Sequence, residues 1–155
     1  MKDTTLGPGA CEWMGVLYRT ILSSADTNGA ISIIGCVSPA GSGPPRHIHH
    51  DADETFVVLS GDTEFWLEGE THMRGPGEAI FIPKGREHSF RVLSTTPARH
   101  LTILGPGGFE AFFHKMAADA LQIPQGMTVI KEIAQHHHLT FTGPPLAPEL
   151  TEKLT

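Results

Sequence analysis

The chain has 155 residues, enough for one domain with a real core. Its formal charge is −6 and its pI about 5.9, with no basic stripe, so nucleic acid is not an expected partner. No apolar run reaches the roughly 18 residues of a membrane span, and the start MKDTTLGPGACEW lacks the apolar stretch of a signal peptide, so no membrane association and a cytoplasmic setting are expected. The two cysteines, Cys11 and Cys36, have no metal-type spacing and are expected to be free thiols in a reducing cytosol.

The 17 glycines and 12 prolines cut the chain into many short segments, as an all-β barrel requires. Residues 13–22 form the first candidate strand. It ends in the polar run to Gly29, which contains the turn signal Asn28-Gly29. Residues 30–37 form the second, and Gly41-Ser42-Gly43-Pro44-Pro45 is a loop. Further strands are expected over 46–50, 54–59, 63–69, 71–74, 78–82, 88–93 and 98–104. Residues 109–120 then change to helical spacing, with Phe109, Phe112, Phe113 and Met116 on one face. A second helix is expected over 128–136, burying Ile130, Ile133 and Ala134. From Gly143-Pro144-Pro145 onward an extended surface segment is expected. No internal repeat is present, so residues 1–155 read as one all-β domain: a barrel over about 11–105, then a short helical C-terminal region and tail over 106–155.

Four residues in the barrel stand out as candidate metal ligands: His47, His49, Glu54 and His88. Three imidazoles and one carboxylate suit a divalent transition metal. Side chains at i and i+2 of a strand share a face, so His47 and His49 point the same way. Glu54 is an odd number of residues from His49, so one straight strand cannot carry both inward. A turn at Asp51-Ala52-Asp53 resets the phase and returns the chain antiparallel, with Asp51 and Asp53 as turn formers. Pro83 and Gly85 shape the turn that delivers His88. The same parity puts Phe56 and Val58 on the face of Glu54, and Phe90 and Val92 on that of His88. These four are the candidate substrate pocket, apolar and aromatic, with no Arg or Lys among them. Phe65 and Leu67 join the core, while Trp66 lies on the other face between Glu64 and Glu68. His50 is expected to be exposed. His72, His100 and His114 have no motif support and read as structural or surface residues. His136-His137-His138 falls at a helix C-terminus, where positive charge is mildly favourable.

Glycines and a proline stand at equally particular places around the candidate ligands. The first block, residues 41–61, reads GSGPPRHIHHDADETFVVLSG; the second, from Gly77, reads GEAIFIPKGREHSFRV. This pair resembles the two motifs of the cupin superfamily. The first match is complete. The second runs through Gly77, Pro83, Gly85 and His88 and departs at Val92, where the family pattern has Asn. Only residues 62–76 separate the blocks, the short spacing of compact single-domain cupins. GGFEAFF over 107–113 and the later HLTFTGPPL look like the tail of small proteins similar to quercetin dioxygenases.

The resemblance implies a jelly-roll β-barrel holding one divalent transition metal per chain, whether iron, nickel, manganese, zinc, copper or cobalt. It implies that Glu54 serves as both ligand and catalytic base. It also implies a homodimer, with the strand over 13–22 as the candidate contact. The expected function is a mononuclear-metal dioxygenase acting on a small apolar, aromatic or enolic substrate. The fold also hosts isomerases, decarboxylases and non-enzymatic binding or regulatory modules. Sugar-phosphate isomerases want cationic phosphate contacts, and oxalate-type decarboxylation wants polar groups where Phe56, Phe90 and Val92 stand. No helix-turn-helix segment flanks the barrel. Oxygen uptake with an accepted substrate separates an enzyme from a binding module.

Overall fold

The structure, a computed structural model, describes residues 6–147. Its strands in chain order are β1 (Cys11–Trp13), β2 (Val16–Leu22), β3 (Ser32–Ser38), β4 (Pro45–His49), β5 (Asp53–Ser60), β6 (Thr63–Leu67), β7 (Glu70–Arg74), β8 (Ala79–Ile82), β9 (His88–Val92) and β10 (Ala98–Gly105). Two helices follow, α1 (Glu110–Ala118) and α2 (Met127–His136), and then β11 (Leu139–Pro145). The strands form two sheets with the orders β1-β2-β3-β10-β5-β8 and β11-β4-β9-β6-β7. Neighbouring strands pair antiparallel. This is the jelly-roll arrangement expected from the alternation and the turns.

Alternation decides which side chains enter the space between the sheets. Along β10, Ala98, His100, Thr102 and Leu104 are buried and their neighbours are not. Along β5 the buried set is Glu54, Phe56 and Val58. Phe56, Val58, Phe65, Ile80 and Ile82 form one apolar cluster between the sheets. A second gathers Ile34, Leu104, Phe112, Met116, Ile130 and Leu139, where the helices cover the end of the barrel. Glu110 fastens α1 to that end: its carboxylate accepts hydrogen bonds from the Ser24 N–H (2.7 Å), the Gly108 N–H (3.0 Å) and the Ser32 hydroxyl (2.5 Å).

Two local expectations need correction. The strand over 13–22 is a hairpin, β1 and β2, joined at Met14-Gly15 with φ of 53° and 80°. A two-residue turn with both φ positive matches the twist of its strands, but Met-Gly is a weaker turn signal than the Asn-Gly farther on. That Asn-Gly follows a short 3₁₀ turn, Ala25–Thr27, and both its residues are left-handed, with φ of 53° and 83°. The second correction is β11. Residues 139–145 pair with β4, placing Leu139 opposite His49 and Phe141 opposite His47. The expected extended surface from 143 is therefore the end of a sheet strand as far as Pro145. Prolines are tolerated there because β11 is an edge strand with one free side. The expected tail from 148 on lies outside the described residues.

Two glycines of the motif blocks have clear reasons. Gly61 turns β5 into β6 at φ 81°, and a Cβ there would lie 2.9 Å from that of Ala98. Gly43 packs flat on β9, where a Cβ would collide with the Phe90 carbonyl oxygen. The loop is laced to β9 by the Gly41 N–H to the Val92 carbonyl (3.0 Å) and the Val92 N–H to the Ser42 carbonyl (2.9 Å). Val92 itself is buried opposite Thr63.

Candidate metal centre

His47 and His49 alternate inward on β4, Glu54 starts β5, and His88 starts β9 directly opposite His47. All four side chains are buried, and one ligand atom from each lies within 4.8 Å of the others. Among the described residues this is the one group of three or more His, Cys, Asp or Glu placed to share an ion. Asp51 and Asp53 stay outside it. The Asp53 carboxylate instead accepts the Lys84 N–H at 2.9 Å, pinning the turn before His88 to the turn before Glu54.

The hydrogen bonds behind the imidazoles fit a bound cation. His47 Nδ1 donates to the Pro45 carbonyl at 2.7 Å, and His88 Nδ1 to the Arg86 carbonyl at 2.9 Å. Fixing the proton on Nδ1 leaves Nε2 as the ligand atom, the usual support for metal-binding histidine. The Glu54 carboxylate oxygen faces His88 Nε2 at 2.8 Å and His49 Nε2 at 3.4 Å. Burial drives the His47 pKa down to about 3, helped by His88 and His49, so this imidazole is neutral and available as a ligand. Burial likewise lowers His49. Burial opposes ionisation of Glu54, but His49, His88 and His47 together outweigh it and hold the carboxyl at about 2. For His88, burial is outweighed by the Glu54 hydrogen bond and charge, and its pKa is raised. A divalent cation would replace that proton as the partner of Glu54. The donor set, its burial and its second-nitrogen anchors therefore fit a first-row ion.

The centre opens into a cavity of about 290 Å³. Phe56 and Phe90 line it, as do Phe109, Phe112, Phe113 and Phe141. Val58 and Val92, expected in the pocket, are buried but do not line the cavity; both pack into the barrel wall. Inward parity selects buried residues but does not distinguish those that face a void from those that fill one. His100 was missed. It is buried, lines the cavity, and presents its ring to Phe90 and Phe56 at centroid distances of 5.2 and 5.7 Å. The signal was present: His100 shares parity with Thr102 and Leu104 on an alternating strand. No Arg or Lys is among the lining residues.

The remaining histidines sit apart from the centre. His50 is exposed and meets the Thr140 hydroxyl at 2.8 Å, and exposed His114 meets that of Thr20 at 3.1 Å. His72 lies 3.6 Å from the Glu70 carboxylate. His136 ends α2 and His137 caps it through its backbone N–H. Burial lowers the pKa of His137, followed by the charges of His136 and His138, so favourable positive charge at this helix end is not its role. Its ring instead lies edge-on to Phe109 and Phe112. Trp66, outside the barrel as expected, is covered by the Arg46 guanidinium at 5.0 Å. Both cysteines are free.

With the arrangement in view, comparison with known proteins is decisive for the fold. The family model described as "Cupin domain" matches residues 34–104, the span that contains all four candidate ligands. The fold is that of a cupin. Over 100 residues, 64% of its length, the chain is 29% identical to the quercetin 2,3-dioxygenase of Bacillus subtilis, covering 29% of that protein. It is 43% identical over 54 residues, 34% of its length, to the dimethylsulfoniopropionate lyase DddQ of Ruegeria pomeroyi, covering 26% of it. The chain thus spans well under half the length of these curated relatives. Among solved structures, KdgF from a Halomonas species superposes with a TM-score of 0.57 at 20% identity, over 63% of this chain and 84% of that one. A predicted oxalate decarboxylase from Thermotoga maritima gives 0.55 at 25% identity, over 59% and 80%. The match to the quercetin dioxygenase is the longer of these two curated matches. No helix of the described residues is long and apolar enough to cross a membrane.

Proposed function

We propose that this cupin is a mononuclear-metal dioxygenase acting on a small aromatic or enolic substrate. The observation that carries the reading is the junction of a buried three-histidine, one-glutamate centre with a phenylalanine-lined cavity. A redox-active first-row ion would supply Lewis acidity and one-electron chemistry there, whereas zinc would supply only the first. The cavity supplies the rest. Its aromatic wall holds a planar ring and excludes water, and it offers no cation to a phosphate or oxalate. A cavity of about 150 Å³ takes benzene, so about 290 Å³ suits one substituted ring or two fused rings.

Glu54 is the candidate base. A carboxyl held at about 2 is a good ligand and a weak base. It can take a proton only from a hydroxyl made acidic in the same site, which is the situation of an enol or phenol bound at the centre. The likeness to a quercetin dioxygenase supports this reading, and the likeness to a lyase keeps other cupin chemistry in view as a competitor. A non-enzymatic binding module is the reading from another class. Oxygen uptake by metal-loaded protein with a panel of enols and phenols decides. Substrate-dependent uptake supports the dioxygenase. Tight binding of the same compounds without consumption assigns a binding module.

A further inference from the structure

The mechanism above leaves one buried polar group unused. His100 is 4% exposed and lines the cavity, yet its ring nitrogens have no hydrogen-bond partner among the described residues. Its nitrogens are not among the fully enclosed unpaired atoms of the described residues, so they face the cavity, where a ligand can pair with them. Burial holds this imidazole neutral, with a pKa of about 4, so it has one N–H to donate and one nitrogen to accept. Its immediate neighbours give it no relief. Across the ladder it faces Cys36 on β3, and Ser38, one inward position farther along β3, also has a buried hydroxyl without a partner. Cys36, Ser38, His100 and Thr102 all line the same cavity, a short polar strip on an otherwise apolar wall. The Thr102 hydroxyl lies 3.9 Å from Cys36 Sγ, which leaves it too with no strong partner.

Register places His100 farther along the barrel wall than the metal centre. Leu104 stands opposite Glu54 on β5, whereas His100 stands opposite Val58. Four residues of antiparallel strand separate the two positions by roughly 13 Å of backbone. Phe56 and Phe90 lie against His100, so a ring held on those phenylalanines has His100 at its side. The cavity wall therefore carries the candidate ligand set and, two inward positions along the strands, a hydrogen-bonding group with no partner among the described residues.

We propose that His100 is a substrate-binding residue, and that the substrate is a ring carrying one polar group for the metal centre and a second, a hydroxyl or carbonyl, at its far end for His100. The proposal rests on the ring-substrate reading above and adds the second polar group to it. Such an arrangement discriminates, because a ligand lacking the far group forgoes the hydrogen bond to the imidazole.

Kojic acid and allomaltol test it. Both are small ring enol-ketones, and they differ by one hydroxyl on the carbon remote from the chelating pair. Binding to metal-loaded protein is measured by calorimetry without oxygen, with metal content checked afterwards. Wild type should bind kojic acid about tenfold more tightly than allomaltol, the scale of one buried hydrogen bond. His100→Leu should erase that preference while keeping metal and allomaltol affinity, and His100→Gln should restore part of it. Comparing the two ligands across variants cancels their intrinsic difference in acidity. Equal binding of the two ligands by wild type, or an undiminished preference in His100→Leu, overturns the proposal. If the leucine variant does not fold, equal binding by wild type still overturns the proposal, and His100→Gln carries the comparison across variants. Binding of neither ligand by metal-loaded wild type overturns the ring-substrate reading and this proposal with it. Binding of both without discrimination removes only the role of His100.

Discussion

Phe109 sets the edge of its ring against His49, at 4.6 Å between centroids and 84° between planes. The contact joins the residue just before α1 to a candidate ligand on β4. Phe109 stacks in turn on Phe112 at 5.0 Å, and Phe113 stacks on Tyr18 of β2 at 4.2 Å. The helical region is thus an aromatic cover over the centre and not an appendage to the barrel. Trp13 completes it, donating its indole N–H to the Leu121 carbonyl at 2.6 Å.

Removing the Phe109 ring should loosen both the fold and the site. Phe109→Ala takes a buried ring from the larger core cluster, a loss of about 3–5 kcal/mol in typical cores. Chemical denaturation should show that loss. Affinity for a ring ligand should fall while metal content stays near wild type. Unchanged stability would mean that the cover does not pack as described.

Glu54→Gln should separate binding from chemistry. The amide keeps one oxygen near His88 and His49 but cannot take a proton. Much of the metal should remain, and turnover of an accepted substrate should fall by ~10²-fold or more, the scale of a general base. Full oxygen-dependent turnover in this variant would end the base role.

Thiol reactivity checks the fold independently of the metal. Burial pushes the Cys36 thiol to about 12 and raises that of Cys11 by less complete burial. The thiolate is the reacting form. At pH 8 a thiol with a pKa of about 12 is thiolate in only ~10⁻⁴ of molecules. Iodoacetamide should therefore label Cys11 first in folded protein and leave Cys36 until denaturant is added, as read by mass spectrometry. Early labelling of Cys36 would contradict its placement on the inner face of β3.

A homodimer is also proposed. β1 is the outer strand of its sheet, and the hairpin it forms with β2 exposes Met14 and Ile21, 48% and 52% accessible. Pairing of such edges between copies would cover them. Light scattering at micromolar concentration should give about twice the 16.7 kDa of the chain. A value at the chain mass would count against the dimer.

The centre was readable in the sequence because its ligands are fixed by short-range rules. His47 and His49 share a face by strand parity, and the Asp51-Ala52-Asp53 turn brings Glu54 back beside them. His88 follows a Pro-Gly turn. What escaped depends on contacts distant in sequence. Nothing local to Leu139 or Phe141 says that they pair with His49 and His47, ninety or more positions away. Nothing in the spacing of Phe109, Phe112 and Phe113 says that their shared face closes a cavity. Val58 and Val92 show the converse limit: parity gives burial, while packing decides which buried side chain meets the void. His100 lay within reach of the alternation on β10, but one histidine outside both motif blocks gave no reason to prefer a ligand-facing role over filling the core.

The central claim is that His47, His49, Glu54 and His88 hold one divalent metal. Elemental analysis of untagged, dialysed protein, wild type beside His49→Ala, tests it most directly. The account predicts about one first-row ion per wild-type chain, at roughly 2.0–2.2 Å from its nitrogens if absorption spectroscopy is added, and almost none in the variant. Wild-type protein that is folded yet metal-free, and that takes up no iron, nickel, manganese, zinc, copper or cobalt when each is supplied, would contradict it.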